Sequence, residues 1–148
     1  MALVVVVAAM IWHINVFTLP DIHILGIQSD EIGEISFAFV FVIPEYNYGY
    51  NAAIKNAIDY LNQEWQYKPL GFVTYGGVAA GTRAMQMLKQ VVSALKMVPM
   101  TEAVNIPFVQ QFLDDDRTLQ PNDVMESAAT AVLAELARWT GAMQALRD

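Results

Sequence analysis

Two short loops hold residue types that suit a planar ligand with polar edges. The first, Pro44–Asn51 (PEYNYGYN), combines a rigid proline with three tyrosines, whose flat apolar faces each carry a hydroxyl group. The second, Thr74–Arg83 (TYGGVAAGTR), contains three glycines, which let the backbone approach a ligand closely, and N–H groups that can donate to its oxygens. The residues alone equally allow ordinary rim packing for the tyrosines and ordinary strand-to-helix turns for the glycines.

Each loop follows an apolar run that predicts a buried strand. Ser36–Ile43 (SFAFVFVI) is almost continuously apolar and rich in β-branched and aromatic residues, which is typical of a central strand in a parallel sheet. Leu70–Tyr75 (LGFVTY) predicts a second strand of the same kind. Because open parallel sheets bind ligands at the carboxyl ends of their strands, both loops lie where a site is expected.

Amphipathic patterns predict helices between and after these strands. Three stripes of apolar residues carry the patterns: Ile54, Ala57, Ile58, Leu61 and Trp65; then Met85, Leu88, Val92 and Leu95; and, after the N-cap Asn122, Met125, Ala129, Val132, Leu136, Trp139 and Met143. Further short strands are predicted at Ile14–Leu19 and Ala103–Ile106. The alternation predicts an α/β fold with a mostly parallel sheet, and a length of 148 residues predicts a single domain over residues 1–148.

The composition argues against several classes of function. A net charge of −7 disfavours nucleic acid and anionic membrane surfaces as partners. The absence of cysteine, with only two histidines, argues against a thiolate nucleophile and against a metal site. The apolar run Met1–Trp12 is too short to span a bilayer and lacks the charged start of a secretory signal, so we expect a buried strand or helix face in a cytoplasmic protein.

Two segments of the chain resemble the NADPH-dependent FMN reductase family, flavodoxin-like flavoproteins that include quinone, azo-dye and chromate reductases. They are FVFVIPEYNYGYNAAIKNAIDYL and W..KP.GFVTYGG.A.GTRA..ML, and the resemblance covers roughly Ser36–Arg147. It implies a flavodoxin-like three-layer sandwich with FMN as cofactor and NADPH or NADH as electron donor. It also implies a quinone, a free flavin or a similar small molecule as electron acceptor.

The resemblance further implies which residues bind the cofactor. Seven residues would contact the flavin ring from its two sides: Pro44, Glu45, Tyr46, Asn47 and Tyr48 on one, and Tyr75 and Gly76 on the other. No catalytic side chain is implied, because the cofactor carries the chemistry. In the family, the helix that contains Lys55 and Asp59 lies at a subunit contact, which implies a homodimer or homotetramer.

Three charged residues near the loops are expected to form polar contacts. Lys55 and Asp59, four residues apart on one helix face, predict an ion pair. Arg83, just inside the helix after the second loop, suits either of two roles. It could contact a nicotinamide phosphate or a subunit partner, or it could form a surface ion pair with a nearby acid.

The start of the chain departs from the family pattern. The family opens with a strand, a phosphate-binding Gly-Ser-x-Arg loop and a helix, and only then reaches a strand that ends in Asp-Leu and Pro. Ile14–Pro20 is similar to the end of that later strand, yet only 13 residues precede it. A parallel crossover alone takes about a dozen residues, so we expect the opening unit to be missing or atypical, or a start site assigned too late. Leu3–Val7 is otherwise a stray strand, and the Gly26–Glu34 segment is too acidic to bind phosphate.

This departure leaves a second interpretation of the chain open. The first is an NAD(P)H-dependent FMN reductase similar to quinone reductases. The alternative is a non-catalytic flavodoxin-like remnant or an oligomerisation subunit with weak or no FMN binding.

The missing phosphate loop predicts that FMN binds more weakly than is usual in the family, because only the ring-binding half of the site is recognisable. Titration of the purified protein with FMN, followed by flavin fluorescence, measures the affinity. Tight stoichiometric binding would contradict this expectation.

Overall fold

A parallel sheet carries helices on both of its faces. The computed structural model describes residues 4–8 and 37–147, and within these ranges four parallel strands pair in chain order. The strands are β1 (Val4–Ala8), β2 (Ala38–Pro44), β3 (Pro69–Gly76) and β4 (Val98–Pro107). The helices are α1 (Ala52–Asp59), α2 (Thr82–Ala94) and α3 (Asp123–Met143), and short 3₁₀ turns cover Gln63–Trp65, Val109–Phe112 and Gln144–Leu146. The predicted α/β class and parallel sheet are therefore confirmed.

The side chains of β2 alternate between two separate hydrophobic cores. Phe39, Phe41 and Ile43 pack on one face of the sheet with residues of α1 and α2. Val40 and Val42 pack on the other face with residues of α3. Because both faces of a parallel sheet are covered, its strands are apolar almost without interruption. The two cores confirm the expected three-layer sandwich.

β1 belongs to the sheet and is not a stray strand. It pairs with β2 in parallel, with Val4 opposite Ala38 and Ala8 opposite Val42. The predicted strand Ile14–Leu19 and the acidic segment Gly26–Glu34 lie outside the described residues. Before residue 37, the structure therefore describes one strand, and this strand pairs with β2.

The helix α3 begins where the sequence predicts. The side chain of Asn122 accepts a hydrogen bond from the backbone N–H of Met125 at 3.0 Å and so caps the first turn. Met125, Val132 and Leu136 are buried against the sheet, as their spacing predicts. Across residues 37–147, no helix combines the length and the apolar character that crossing a membrane requires.

Two predicted boundaries differ from the structure. The stripe through Trp65 predicted one continuous helix, but α1 ends at Asp59, and Trp65 lies buried in a 3₁₀ turn. The indole Nε1 of Trp65 donates to the carbonyl oxygen of Ile58 at 2.9 Å, so the ring caps the helix end. The strand predicted at Ala103–Ile106 is longer, because β4 already begins at Val98.

A buried lysine lies at the amino end of β3, away from the two loops. Lys68 is 3% exposed, and its ammonium nitrogen lies 5.6 Å from the centre of the Phe39 ring. Burial, reinforced by the positive charge of Arg147, lowers the pKa of Lys68 from 10.5 to about 8. Near neutral pH the folded chain therefore carries a buried charge whose desolvation costs free energy.

We predict that Lys68→Met removes a pH-dependent part of the free energy of unfolding, which amounts to about 3 kcal/mol between pH 8 and pH 10.5. The folded pKa of about 8 lies below the ordinary 10.5, so the cost is complete below pH 8 and declines as the pH rises through this window. The wild-type protein should therefore gain stability between these pH values, and the variant should lose that slope. Urea unfolding at a series of pH values measures both, and an unchanged slope in the variant would contradict the assignment.

Candidate functional site

The two loops leave the sheet side by side. Pro44 at the end of β2 lies opposite Tyr75 near the end of β3, so both strands reach the same edge at the same level. The N–H of Glu45 donates to the carbonyl oxygen of Tyr75 at 2.8 Å and extends the ladder into the loops. The end of β4 joins them, because the N–H of Phe108 donates to the carbonyl oxygen of Gly76 at 2.8 Å. Three chain segments therefore meet at the carboxyl edge of the sheet.

The first loop folds into a tight turn that presents two of its three tyrosines to solvent, while Tyr50 packs against the core. Tyr46 and Gly49 exchange two backbone hydrogen bonds of 2.9 Å. Between them, Asn47 and Tyr48 have positive φ angles of 48° and 71°, the signature of a type I′ turn. Tyr46 is 45% and Tyr48 is 70% exposed. Two aromatic side chains of the predicted ring site are thus available for contact with a ligand.

Glu45 is directed toward the second loop and the helix after it. Its side chain is only 7% exposed, and one carboxylate oxygen lies 2.6 Å from Nε of Arg83. The other oxygen accepts a hydrogen bond from the backbone N–H of Arg83 at 3.2 Å. The ion pair expected as one role of Arg83 is present, but it is not a surface pair, because its acid is buried and is a member of the predicted ring site.

The guanidinium group of Arg83 also covers the ring of Tyr48. Its central carbon lies 3.7 Å from the ring centre, a distance that allows a cation–π contact. Arg83 therefore contacts the first loop at two points: at Glu45, where the loop leaves β2, and at Tyr48, in its turn.

A buried threonine and a left-handed glycine hold the second loop. The hydroxyl of Thr74, fully buried, lies 2.8 Å from the carbonyl oxygen of Ala80 and 2.8 Å from the side-chain oxygen of Asn105. Gly81 has a φ of +83°, and a Cβ there would lie 2.7 Å from Cβ of Thr74. At Gly77, by contrast, a Cβ would meet nothing within 4 Å among the described residues. The loop is therefore closed on the sheet side and open at Gly77.

Tyr75 supplies a hydroxyl that keeps its proton. Burial, together with the neighbouring Tyr46, raises the pKa of Tyr75 to about 12. The phenol can therefore donate a hydrogen bond at neutral pH but cannot act as a base there. Within residues 37–147, no three His, Asp or Glu side chains lie close enough to hold a metal ion. At this edge Tyr75 therefore offers a hydrogen-bond donor and not a base.

Several neighbours of the loops were not predicted from the sequence. Phe108, 48% exposed, follows β4 directly and lies beside the glycine loop. Asn51, which caps α1 by accepting from the N–H of Ile54 at 2.8 Å, has a buried amide nitrogen without a hydrogen-bond partner among the described residues. A shallow pocket of about 420 Å³ lies beside the turn, lined by Tyr48, Thr82, Arg83, Gln86 and Met87. An aromatic residue two positions after the strand predicted at Ala103–Ile106 was the available signal for Phe108.

The sequence profile of a family described as NADPH-dependent FMN reductase matches residues 31–111. An NAD(P)H-dependent FMN reductase of Schizosaccharomyces pombe is 51% identical over 71 residues, which are 47% of this chain and 35% of that protein. One of Saccharomyces cerevisiae is 52% identical over 58 residues, 39% of this chain and 30% of that protein. The aligned part thus spans about a third of the length of these curated relatives.

A solved structure shares the fold. It is FerB, a flavoenzyme NAD(P)H:(acceptor) oxidoreductase from Paracoccus denitrificans, which superposes with a TM-score of 0.55. The match is 24% identical and covers 78% of this chain and 64% of that one. It supports the flavodoxin-like architecture expected from the sequence.

We predict that Gly81→Ala lowers the free energy of unfolding by about 2–4 kcal/mol, because an alanine would combine an unfavourable φ with backbone and side-chain overlap. Gly77→Ala is the matched control in the same loop and should change the unfolding free energy by less than about 0.5 kcal/mol, since its Cβ would point into open space. Chemical denaturation of the ligand-free proteins measures both. If the two substitutions lowered the free energy of unfolding equally, the close packing assigned to Gly81 would be wrong.

Proposed function

The chain belongs to the NADPH-dependent FMN reductase family, and from this premise we propose that it binds FMN at the two loops and transfers electrons from NADPH or NADH to a small acceptor such as a quinone or a free flavin. One observation carries the proposal. The hydrogen bond from Glu45 to Tyr75 joins two loops at the carboxyl edge of a parallel sheet, one bearing exposed tyrosines and the other glycines.

The residues at this edge fit a flavin ring. The open space beyond Gly77 leaves backbone accessible to a flat ligand, while Gly76 lets the loops approach each other, since a Cβ there would lie 3.2 Å from Cβ of Glu45. The buried amide nitrogen of Asn51 is a donor that a ligand oxygen could satisfy. The ring would be held by Pro44, Glu45, Tyr46, Asn47 and Tyr48 from the first loop, and by Tyr75 and Gly76 from the second.

The role of the protein in this reaction is to bind and orient. Bound FMN would accept the hydride and pass on the electrons, because amino-acid side chains do not carry out this redox chemistry. Tyr46 and Tyr48 offer apolar faces, and the protonated hydroxyl of Tyr75 is a donor rather than a base. Backbone N–H groups of the glycine loop offer donors of fixed direction to the polar edge of the ring. Such an arrangement favours one ring orientation.

We also propose that the active form is a homodimer or homotetramer. The ion pair of Lys55 with Asp59 is present on the outer face of α1, at 2.5 Å. Tyr60, the residue after Asp59, is 80% exposed, and Met87 on α2, beside the turn of the first loop, is 48% exposed. Exposed apolar side chains on these two helices are consistent with a subunit contact.

The decisive experiment measures FMN binding and FMN-dependent NADPH oxidation with a quinone acceptor. We expect saturable binding and turnover only when FMN is added. In Gly76→Ala, we expect FMN to bind about tenfold more weakly, because the added Cβ pushes against Glu45 and against the backbone of Gly81.

Gly141→Ala in α3 is the control, since its Cβ would meet nothing within 4 Å among the described residues. FMN affinity and turnover should be unchanged in it. A folded wild-type protein that neither binds FMN nor oxidises NADPH would favour the alternative of a non-catalytic remnant.

A further inference from the structure

The contact between Glu45 and Arg83 joins elements that are distant in the sequence. The two residues are 38 positions apart, on the first loop and in the first turn of α2. One carboxylate oxygen of Glu45 lies at ion-pair distance from Nε of Arg83, and the other accepts a hydrogen bond from the backbone N–H of Arg83. The Glu45 side chain is 7% exposed and that of Arg83 is 35% exposed, so solvent screens this pair less than it screens a fully exposed pair.

The same arginine supports the strained part of the loop. Tyr48 has a φ of 71°, a conformation that a residue with a bulky side chain rarely adopts. Such strain persists only where surrounding contacts hold it. The guanidinium group 3.7 Å from the Tyr48 ring is one such contact, and the paired backbone bonds of Tyr46 and Gly49 are another.

We propose that Glu45 and Arg83 form a latch that holds the first loop in its ring-binding shape before the flavin arrives. In this role Arg83 is a positioning residue, and the carboxylate of Glu45 acts through Arg83. Glu45 would then contribute to the ring site through its backbone and not through its carboxylate. The identity of the ligand rests on the proposed function, whereas the latch itself is a property of the chain. A loop ordered in advance binds more tightly because binding no longer has to order it.

The geometry favours this role over recognition of a nucleotide phosphate by Arg83. Its Nε already faces a carboxylate, and one face of its guanidinium group is covered by Tyr48. Glu45 also neutralises the charge that would attract a phosphate. The two roles differ in which ligand loses affinity when Arg83 is changed.

The first test compares FMN and riboflavin, which share the ring but differ in the phosphate. For Arg83→Met we expect both dissociation constants to rise about tenfold or more, the scale expected when even one loop residue must be ordered on binding. Arg83→Lys keeps the charge but not the planar group, so it should recover part of the affinity. The double variant Glu45→Gln with Arg83→Met should bind no more weakly than Arg83→Met alone.

The control is Arg138→Met, which removes an exposed pair with Glu135 on α3 and should leave both dissociation constants unchanged. Unchanged flavin affinity in Arg83→Met, with only the KM for NADPH raised, would overturn the latch in favour of a nucleotide contact. Additive effects of the two substitutions would also overturn it.

The second test does not need flavin. Hydrogen exchange of the Tyr46 and Gly49 amides should become at least about tenfold faster in Arg83→Met and stay unchanged in Arg138→Met, because these amides bond across the turn that Arg83 supports. If the wild type binds neither flavin, the proposed function fails, and this exchange measurement alone decides the latch. Equal exchange rates in wild type and Arg83→Met would refute it.

Discussion

The parallel register of β2 and β3 is the constraint on which the site depends. Parallel strands end at the same edge, and the pairing of Pro44 with Tyr75 makes these two strands end at the same level. A shift by two residues would keep the side-chain faces but would move one loop several ångströms along the edge. The hydrogen bond from Glu45 to Tyr75 fixes the level at the point where the strands become loops.

The side chain of Thr74 is a polar group buried in the otherwise apolar strand β3, and it connects the end of that strand to the second loop. Thr74 interrupts the apolar run of β3 just before the glycine loop, and its hydroxyl lies within hydrogen-bond distance of the Ala80 carbonyl oxygen. With a single proton, it can donate to that carbonyl while the Asn105 amide turns its NH₂ group toward it. A buried hydroxyl that keeps its partners ties the loop to the sheet at little cost in free energy.

The sequence predicted the elements and the location of the loops because both are encoded in local patterns. Continuous apolar runs gave β2 and β3, and the N-cap Asn122 gave the start of α3. The spacing of Trp65 correctly indicated burial, but its indole bonds to Ile58, and a side chain that caps a helix end cannot be read from periodicity. The early start of β4 was hidden by Pro99. Among the described strands β4 pairs on one side only, and such a strand tolerates a residue without an N–H.

The contacts of Arg83 were beyond local patterns for a different reason. A residue pattern indicates that an arginine near acids will find one, but only the register of β2 against β3 brings Glu45 to the start of α2. At that position, both oxygens of the Glu45 carboxylate face Arg83, so the carboxylate is a poor direct ligand for a ring. The same contacts hold the backbone of the loop that carries the tyrosines. The sequence resemblance assigned residues 44–48 of the first loop to the ring. Within that loop, the structure separates the exposed aromatic side chains of Tyr46 and Tyr48 from the buried carboxylate of Glu45, which faces the protein. In the proposed latch, this carboxylate orders the backbone that carries the two rings.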